Sequence, residues 1–170
     1  MLHNRRGFTL MELIVAIALG AILMAIAYPN FRDWRQSAAY KEVSRKLAST
    51  MLEARSRAVT SNRERRVTLA LDNSGGNSTN TYLMEIGNRS RNSTDWDPVA
   101  NGSGTLTPGV EVRGVDDCSQ LTGSVVVIFT PKGGAPGAGP ATGLCVIDNA
   151  GGLRFSVGVA DANTGRVAIH

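Results

Sequence analysis

The sequence predicts an α+β protein, a long N-terminal α-helix packed on an antiparallel β-sheet or small β-sandwich head. Three observations predict it. Phe8 to Tyr28 is an apolar stretch of 21 residues, Phe31 to Ser61 repeats its apolar positions at helical spacing, and the rest is rich in period-two alternation. The organisation that follows is 1–7 as a basic segment ahead of the apolar run, 8–30 as a lipid-grade half-helix, 31–62 as an amphipathic half-helix and 63–170 as a β-rich head.

Arg5-Arg6-Gly7 followed by a long oily run is the order of an export signal. No small-residue cleavage site closes the run, and Ala25-Ile26-Ala27-Tyr28-Pro29-Asn30-Phe31 leads into a second helical segment, so the run is read as retained. As a helix it would span about 31 Å, the thickness of the bilayer hydrocarbon. Arg5 and Arg6 would hold the N-terminus on the cytoplasmic side, leaving everything after Asn30 outside. Gly20 and Pro29 are its weak points, because glycine lowers helix propensity and proline removes a backbone donor. Thr9-Leu10-Met11-Glu12 has the form of a capping box. Capping does not account for a carboxylate at the edge of lipid, since glutamine would cap without the charge.

Beyond the run, Phe31, Trp34, Ala38, Val43, Leu47, Met51, Ala54 and Ala58 recur at spacings of three to five, with charged residues such as Lys41, Glu42, Arg45 and Lys46 between them. Asn62 and an arginine cluster end the pattern. A helix from Thr9 to Thr60 would be about 75 Å long, more than a small domain needs, so its second half is expected to pack on the head. Strands are expected at Arg66–Leu71 and Tyr82–Ile86, joined by the turn-rich Asp72 to Asn80, and at Val110–Val115. Ser124–Thr130 is expected to be the central buried strand. Leu144–Ile147, Leu153–Val159 and Arg166–Ile169 supply the last strands, with turns at Asp148-Asn149 and Asn163-Thr164-Gly165. Asn88 to Gly104 reads as an exposed polar loop, and the Gly- and Pro-rich Lys132 to Thr142 as a loop that cannot pack.

Composition narrows the chemistry. The formal charge of +4 includes Arg5 and Arg6; without those two, 16 basic residues face 14 acidic ones, too little excess to imply a polyanion partner. The two histidines are His3 and His170, so the body of the head has none, and neither a phosphate loop nor metal-ligand spacing is evident. No catalysis, cofactor or metal is expected, and Asp116-Asp117 reads as a turn. Asn77-Ser78-Thr79 and Asn92-Ser93-Thr94 match an acceptor pattern that Asn/Ser-rich loops produce by chance. Cys118 and Cys145, an even pair in an exported head, read as one disulfide closing roughly 28 residues, worth about 3.5 kcal/mol by chain entropy; two buried thiols are the alternative.

Arg5-Arg6-Gly7-Phe8-Thr9-Leu10-Met11-Glu12-Leu13 resembles the processing motif of type IV pilins and type II secretion pseudopilins. The resemblance implies cleavage by a prepilin peptidase between Gly7 and Phe8 and N-methylation of Phe8. It places Glu12 at the fifth mature position, where the family carries a glutamate that pairs with the cationic N-terminus of a neighbouring subunit. Leu52-Glu53-Ala54-Arg55-Ser56-Arg57-Ala58-Val59 with Arg66-Val67-Thr68-Leu69 looks like the helix-to-strand junction of GspH-type pseudopilins and FimT/FimU-type minor pilins. Ile128-Phe129-Thr130-Pro131-Lys132-Gly133, Gly143-Leu144-Cys145-Val146 and Gly165-Arg166-Val167 resemble their C-terminal half.

What the resemblance implies is a minor pilin of a type IV pilus, with an H-type pseudopilin as the alternative. The implied partners are other pilins or pseudopilins through their N-terminal helices, the prepilin peptidase and an inner-membrane assembly platform. The implied location is a single span of a bacterial inner membrane with a periplasmic head, followed by the filament. The internal cysteine pair and Phe129-Thr130-Pro131 favour the pilus. A third reading, DNA reception, would use Arg63, Arg65, Arg66 and Arg166. FimT-like receptors carry Gly-Arg-x-Arg near the C-terminus, whereas Gly165-Arg166-Val167-Ala168 lacks the second arginine, and nucleic acid is not expected as a partner.

Overall fold

A computed structural model describes residues 8–73, 78–114, 118–136 and 143–170. Readings that fall on 1–7, on Asn77, on Asp116-Asp117 and on the tip of the Gly/Pro-rich loop at 137–142 lie outside the described residues. Helix α1, Leu10–Ser61, is continuous through both Gly20 and Pro29. Its start carries one half of the expected capping box: the Thr9 Oγ1 accepts a hydrogen bond from the Glu12 N–H at 3.2 Å. Its end falls where asparagine was expected to stop it, and Asn62 adopts the left-handed conformation (φ 50°) that closes many helices.

The chain forms two compact units, divided between Ala38 and Ala39. The first is the N-terminal part of α1. The second holds the rest of α1 and two four-stranded antiparallel sheets. One sheet, in the order β3-β2-β1-β5, comprises β1 (Arg65–Asp72), β2 (Thr81–Gly87), β3 (Trp96–Thr105) and β5 (Thr122–Phe129). The other, in the order β4-β6-β7-β8, comprises β4 (Glu111–Gly114), β6 (Leu144–Ile147), β7 (Leu153–Asp161) and β8 (Arg166–Ile169). The α+β architecture with a two-sheet head is therefore as the sequence predicts.

Packing follows periodicity. On α1, Tyr40, Val43, Leu47, Met51, Ala54 and Ala58 are buried, at steps of three and four that keep them on one face. Opposite them lie Val67, Leu69 and Leu71 of β1, Met84 of β2, and Val125, Val127 and Phe129 of β5, in one core with Val112, Leu144, Val146 and Val157 of the second sheet. In β1 and β5 the register places Val67 opposite Val127, so inward residues meet across the ladder. Asn73 ties the sheets together beyond the end of β1: its side chain donates to the carbonyls of Val112 (2.7 Å) and Leu121 (2.8 Å) and accepts from the Val112 N–H. Buried Asn80 donates to Asn73 and to the Val110 carbonyl and accepts from the Asp72 N–H.

Four expectations are corrected. Phe31, Trp34 and Ala38, expected on the packed stripe, are exposed, because burial begins at Tyr40, about two and a half turns after Phe31. Ser124–Thr130 is not central: among the described residues β5 pairs with β1 alone and lies at the sheet edge, and its alternation buries Val125, Val127 and Phe129 while Val126 remains 42% exposed. A continuous apolar run carries no information about which face is covered. The polar stretch Asn88–Gly104 contains β3, also an edge, whose single-sided exposure permits Pro98 and a polar composition. Gly133, Gly134 and Ala135, in the loop expected not to pack, are buried.

Candidate functional site: an exposed apolar helix and a closed head

In the first unit every large apolar side chain from Phe8 to Trp34 is exposed, and α1 is long and apolar enough here to cross a membrane. Phe8 precedes the helix. Thr9 and Glu12 meet through the backbone cap alone, and among the described residues none pairs with the exposed Glu12 carboxylate. The cap is therefore satisfied without the charge, which leaves the carboxylate available to a cation from elsewhere.

The arginine cluster at the other end of α1 is largely committed to internal bonds. Arg55 Nε donates to the Gly133 carbonyl at 3.1 Å, and Arg63 Nε to the Gly87 carbonyl at 2.7 Å. Arg57 pairs with Glu53 one turn earlier. Arg66 forms a bidentate pair with Glu85 (2.7 and 2.8 Å), and its guanidinium lies 4.6 Å from the centroid of the Trp96 ring. The Arg66 hydrogen bonds hold the Glu85 carboxyl below the usual carboxylate range, with Thr68 adding to the shift. Arg65 is buried, donates to the Ser61 hydroxyl, and has its pKa lowered by burial and by the neighbouring cations Arg57 and Arg63. Arg166, at the start of β8, is exposed and is not grouped with these by any bond.

Several structural anchors are hidden from sequence inspection. Buried Glu64 accepts hydrogen bonds from the backbone N–H groups of Asn92 (3.0 Å) and Ser93 (2.7 Å), fixing the β2–β3 connection to the end of α1. The only signal was an acid set between arginines. Tyr40 exchanges hydrogen bonds of 3.4 Å with Asn149, closing the core under the β6–β7 turn. That turn is held by Asp148, whose carboxylate accepts from the N–H groups of Gly152 and Ala150 and from Arg154, bonds that keep its pKa low. Asp161 does the same for the β7–β8 turn through Thr164 and the Asn163 N–H.

Gly165 explains why the glycine-rich segment packs. A Cβ at this position would collide with the Gly133 carbonyl oxygen, and its φ of +62° is itself unfavourable for other residues. The resulting close approach lets Arg55 reach Gly133, while the Ala135 N–H donates to the Ala162 carbonyl. Beside this junction is a cleft of about 440 Å³ lined by residues including Asn62, Arg91, Thr130, Lys132 and Asn163, with no carboxylate in its lining. Cys118 and Cys145 form a disulfide, pinning the segment after β4 to β6 as the even cysteine count suggested.

Two family models match the chain. One, described as the prokaryotic N-terminal methylation motif, covers residues 2–28, and the other, described as type II transport protein GspH, covers residues 43–163. Comparison with curated proteins and with solved structures gives no match.

Proposed function

The chain belongs to the type II transport protein GspH family, and we propose that it serves as a minor pilin that primes assembly of a type IV pilus. Its coarser role, that of a type IV pilin-like or pseudopilin protein with a single apolar N-terminal helix of the membrane-anchored kind, follows from the two family matches. The observation that carries the assembly reading is the contrast within α1. Residues up to 38 leave their apolar side chains uncovered, whereas those from Tyr40 onward complete a closed core. A segment that covers nothing of its own needs lipid first and neighbouring helices afterwards.

In this proposal a prepilin peptidase cuts between Gly7 and Phe8 and methylates Phe8, the helix waits in the inner membrane with the head in the periplasm, and an assembly platform passes it into the filament. Glu12 pairs with the cationic N-terminus of an adjacent subunit, removing two costly charges from lipid together. That no other described residue pairs with its carboxylate supports that role. Expression with active peptidase should shorten the chain by seven residues, and retention of Met1 to Gly7 would count against it. Glu12→Ala should leave processing and membrane association intact but deplete the protein from sheared filaments; normal recovery there would overturn the pairing.

The second reading, an H-type pseudopilin of a type II secretion system, is favoured by the description of the matched family. Deletion of the gene separates the two. Lost surface pili with intact protein secretion supports the minor pilin, and the reverse phenotype supports the pseudopilin. DNA is not among the proposed partners, because Arg63, Arg65 and Arg66 are engaged within the head. A mobility-shift titration of the head across salt would expose any phosphate contacts.

A further inference from the structure

We propose that Tyr28, Phe31, Trp34 and Arg35 form a headgroup-level belt that seats the helix at a fixed depth in the bilayer, with phospholipid headgroups as the partner. The proposal rests on the membrane-anchored reading above and adds to it where the span stops. Phe31 and Trp34 fit the helical spacing of the packed stripe, yet they are 55% and 66% exposed, so the head gives them no role. They are not disposed independently. Their rings stack with centroids 5.9 Å apart, and the Arg35 guanidinium carbon lies 6.0 Å from the Phe31 centroid.

Spacing keeps these groups on one side of the helix: Phe31 lies three positions from Tyr28 and from Trp34 and four from Arg35, and the four positions together cover about 120° of the circumference. This face continues the apolar run directly: Met24 and Tyr28 precede Phe31 on it, and both are exposed. With 1.5 Å of rise per residue, Phe31 lies about 4 Å and Trp34 about 9 Å beyond Tyr28, the depth of the interfacial layer if Phe8 to Tyr28 fills the hydrocarbon. Tyrosine and tryptophan, here Tyr28 and Trp34, are favoured there because each joins an apolar ring to a polar O–H or N–H tip, and Phe31 stacks on Trp34. The charges fit the same layer. Arg32 and Arg35 are exposed and flank the single acid Asp33, so the segment is net positive where lipid phosphates are concentrated. Their long side chains can reach the phosphates while their stems stay on the rings.

The belt has a consequence for Glu12. Nineteen residues separate it from Phe31, about 28 Å of helix. With Phe31 seated about 4 Å outside the hydrocarbon, Glu12 therefore lies about 24 Å below its outer boundary, towards the cytoplasmic side of a layer about 30 Å thick, where a carboxylate costs less than at the midplane.

The test uses the full chain in vesicles of phosphatidylethanolamine and phosphatidylglycerol carrying either a headgroup nitroxide or a deep acyl-chain bromine. Trp34 is read from Trp96→Phe, and independently from the difference between wild type and Trp34→Phe, which leaves Trp96 and its Arg66 contact untouched. The expected result is blue-shifted Trp34 emission, quenched more strongly by the headgroup probe than by the deep one. An Arg32→Ala/Arg35→Ala variant should lose part of that difference. Emission at the aqueous position, preferential deep quenching, or shielding without quenching by either lipid probe would overturn the belt while leaving the anchor intact. Failure of the protein to float with vesicles would overturn the anchor itself, and the belt with it.

Discussion

The two parts of α1 are one continuous helix, yet they solve the problem of apolar surface in opposite ways. From Tyr40 onward the helix turns a stripe inward and covers it with strands, so Val43, Leu47 and Met51 are almost wholly buried. From Leu13 to Tyr28 it is oily on all sides and covers nothing, with Ile14, Leu19, Leu23 and Ile26 alike exposed. A helix oily all round takes lipid or other helices as its solvent, whereas a striped one takes its own domain. Stability is therefore internal to the head, and the first unit's apolar surface must be covered by something else.

The sharpest way to break the comparison is the same substitution in both parts. Leu47→Ala should lower the stability of the head by about 4 kcal/mol, because a fully buried leucine leaves both lost contacts and a cavity. Leu19→Ala should leave the head's denaturation curve unchanged. Equal effects in chemical denaturation would mean that the head's stability depends on the first unit.

Opening the disulfide tests whether the head closes through covalent as well as apolar means. Cys145→Ser should cost about 3 kcal/mol, mostly through a less restricted unfolded chain, and should leave membrane association unaltered. Reduction of the wild-type protein should shift its melting temperature in the same direction.

Electrostatics gives a smaller effect with a defined pH window. The Arg66 bonds depress the folded pKa of Glu85, so the pair contributes stability above the unfolded carboxylate value and loses it as pH falls through the lower folded one. Thermal melts should decline below about pH 4. Glu85→Gln should cost about 2 kcal/mol at neutral pH and make that decline shallower. It should not abolish the decline, because Asp148 and Asp161 are shifted in the same direction. The smallest change is expected on the exposed face of the buried half. Arg57→Ala removes an exposed pair with Glu53 and should alter stability by less than about 0.5 kcal/mol.

Much of this was legible in the chain itself. Periodicity and apolar runs determined α1, the positions of seven of the eight strands among the described residues, and the inward residues of the helix from Val43 to Ala58. Thr9 announced the cap and Asn62 the stop, since both act through bonds to residues close by. The even cysteine count favoured the disulfide, and the register of Gly7, Phe8 and Glu12 with the apolar run pointed to the family.

What the sequence left open depends on which surfaces meet. β3 was missed because an edge strand needs neither alternation nor apolar content, and its pairing energy comes from β2. The position of β5 at an edge followed from the sheet order, which a run of five apolar residues does not encode. Gly133 to Ala135 pack because Gly165, thirty residues away, permits a backbone approach that local composition cannot reveal. Arg55, Glu64, Asn73 and Tyr40 are ordinary polar residues in the sequence, and became anchors once folding set a carbonyl, an N–H pair, a second sheet or a turn within reach. Local periodicity acts over a few residues and is written into the chain; burial and long-range hydrogen bonding exist only between segments that tertiary structure has brought together.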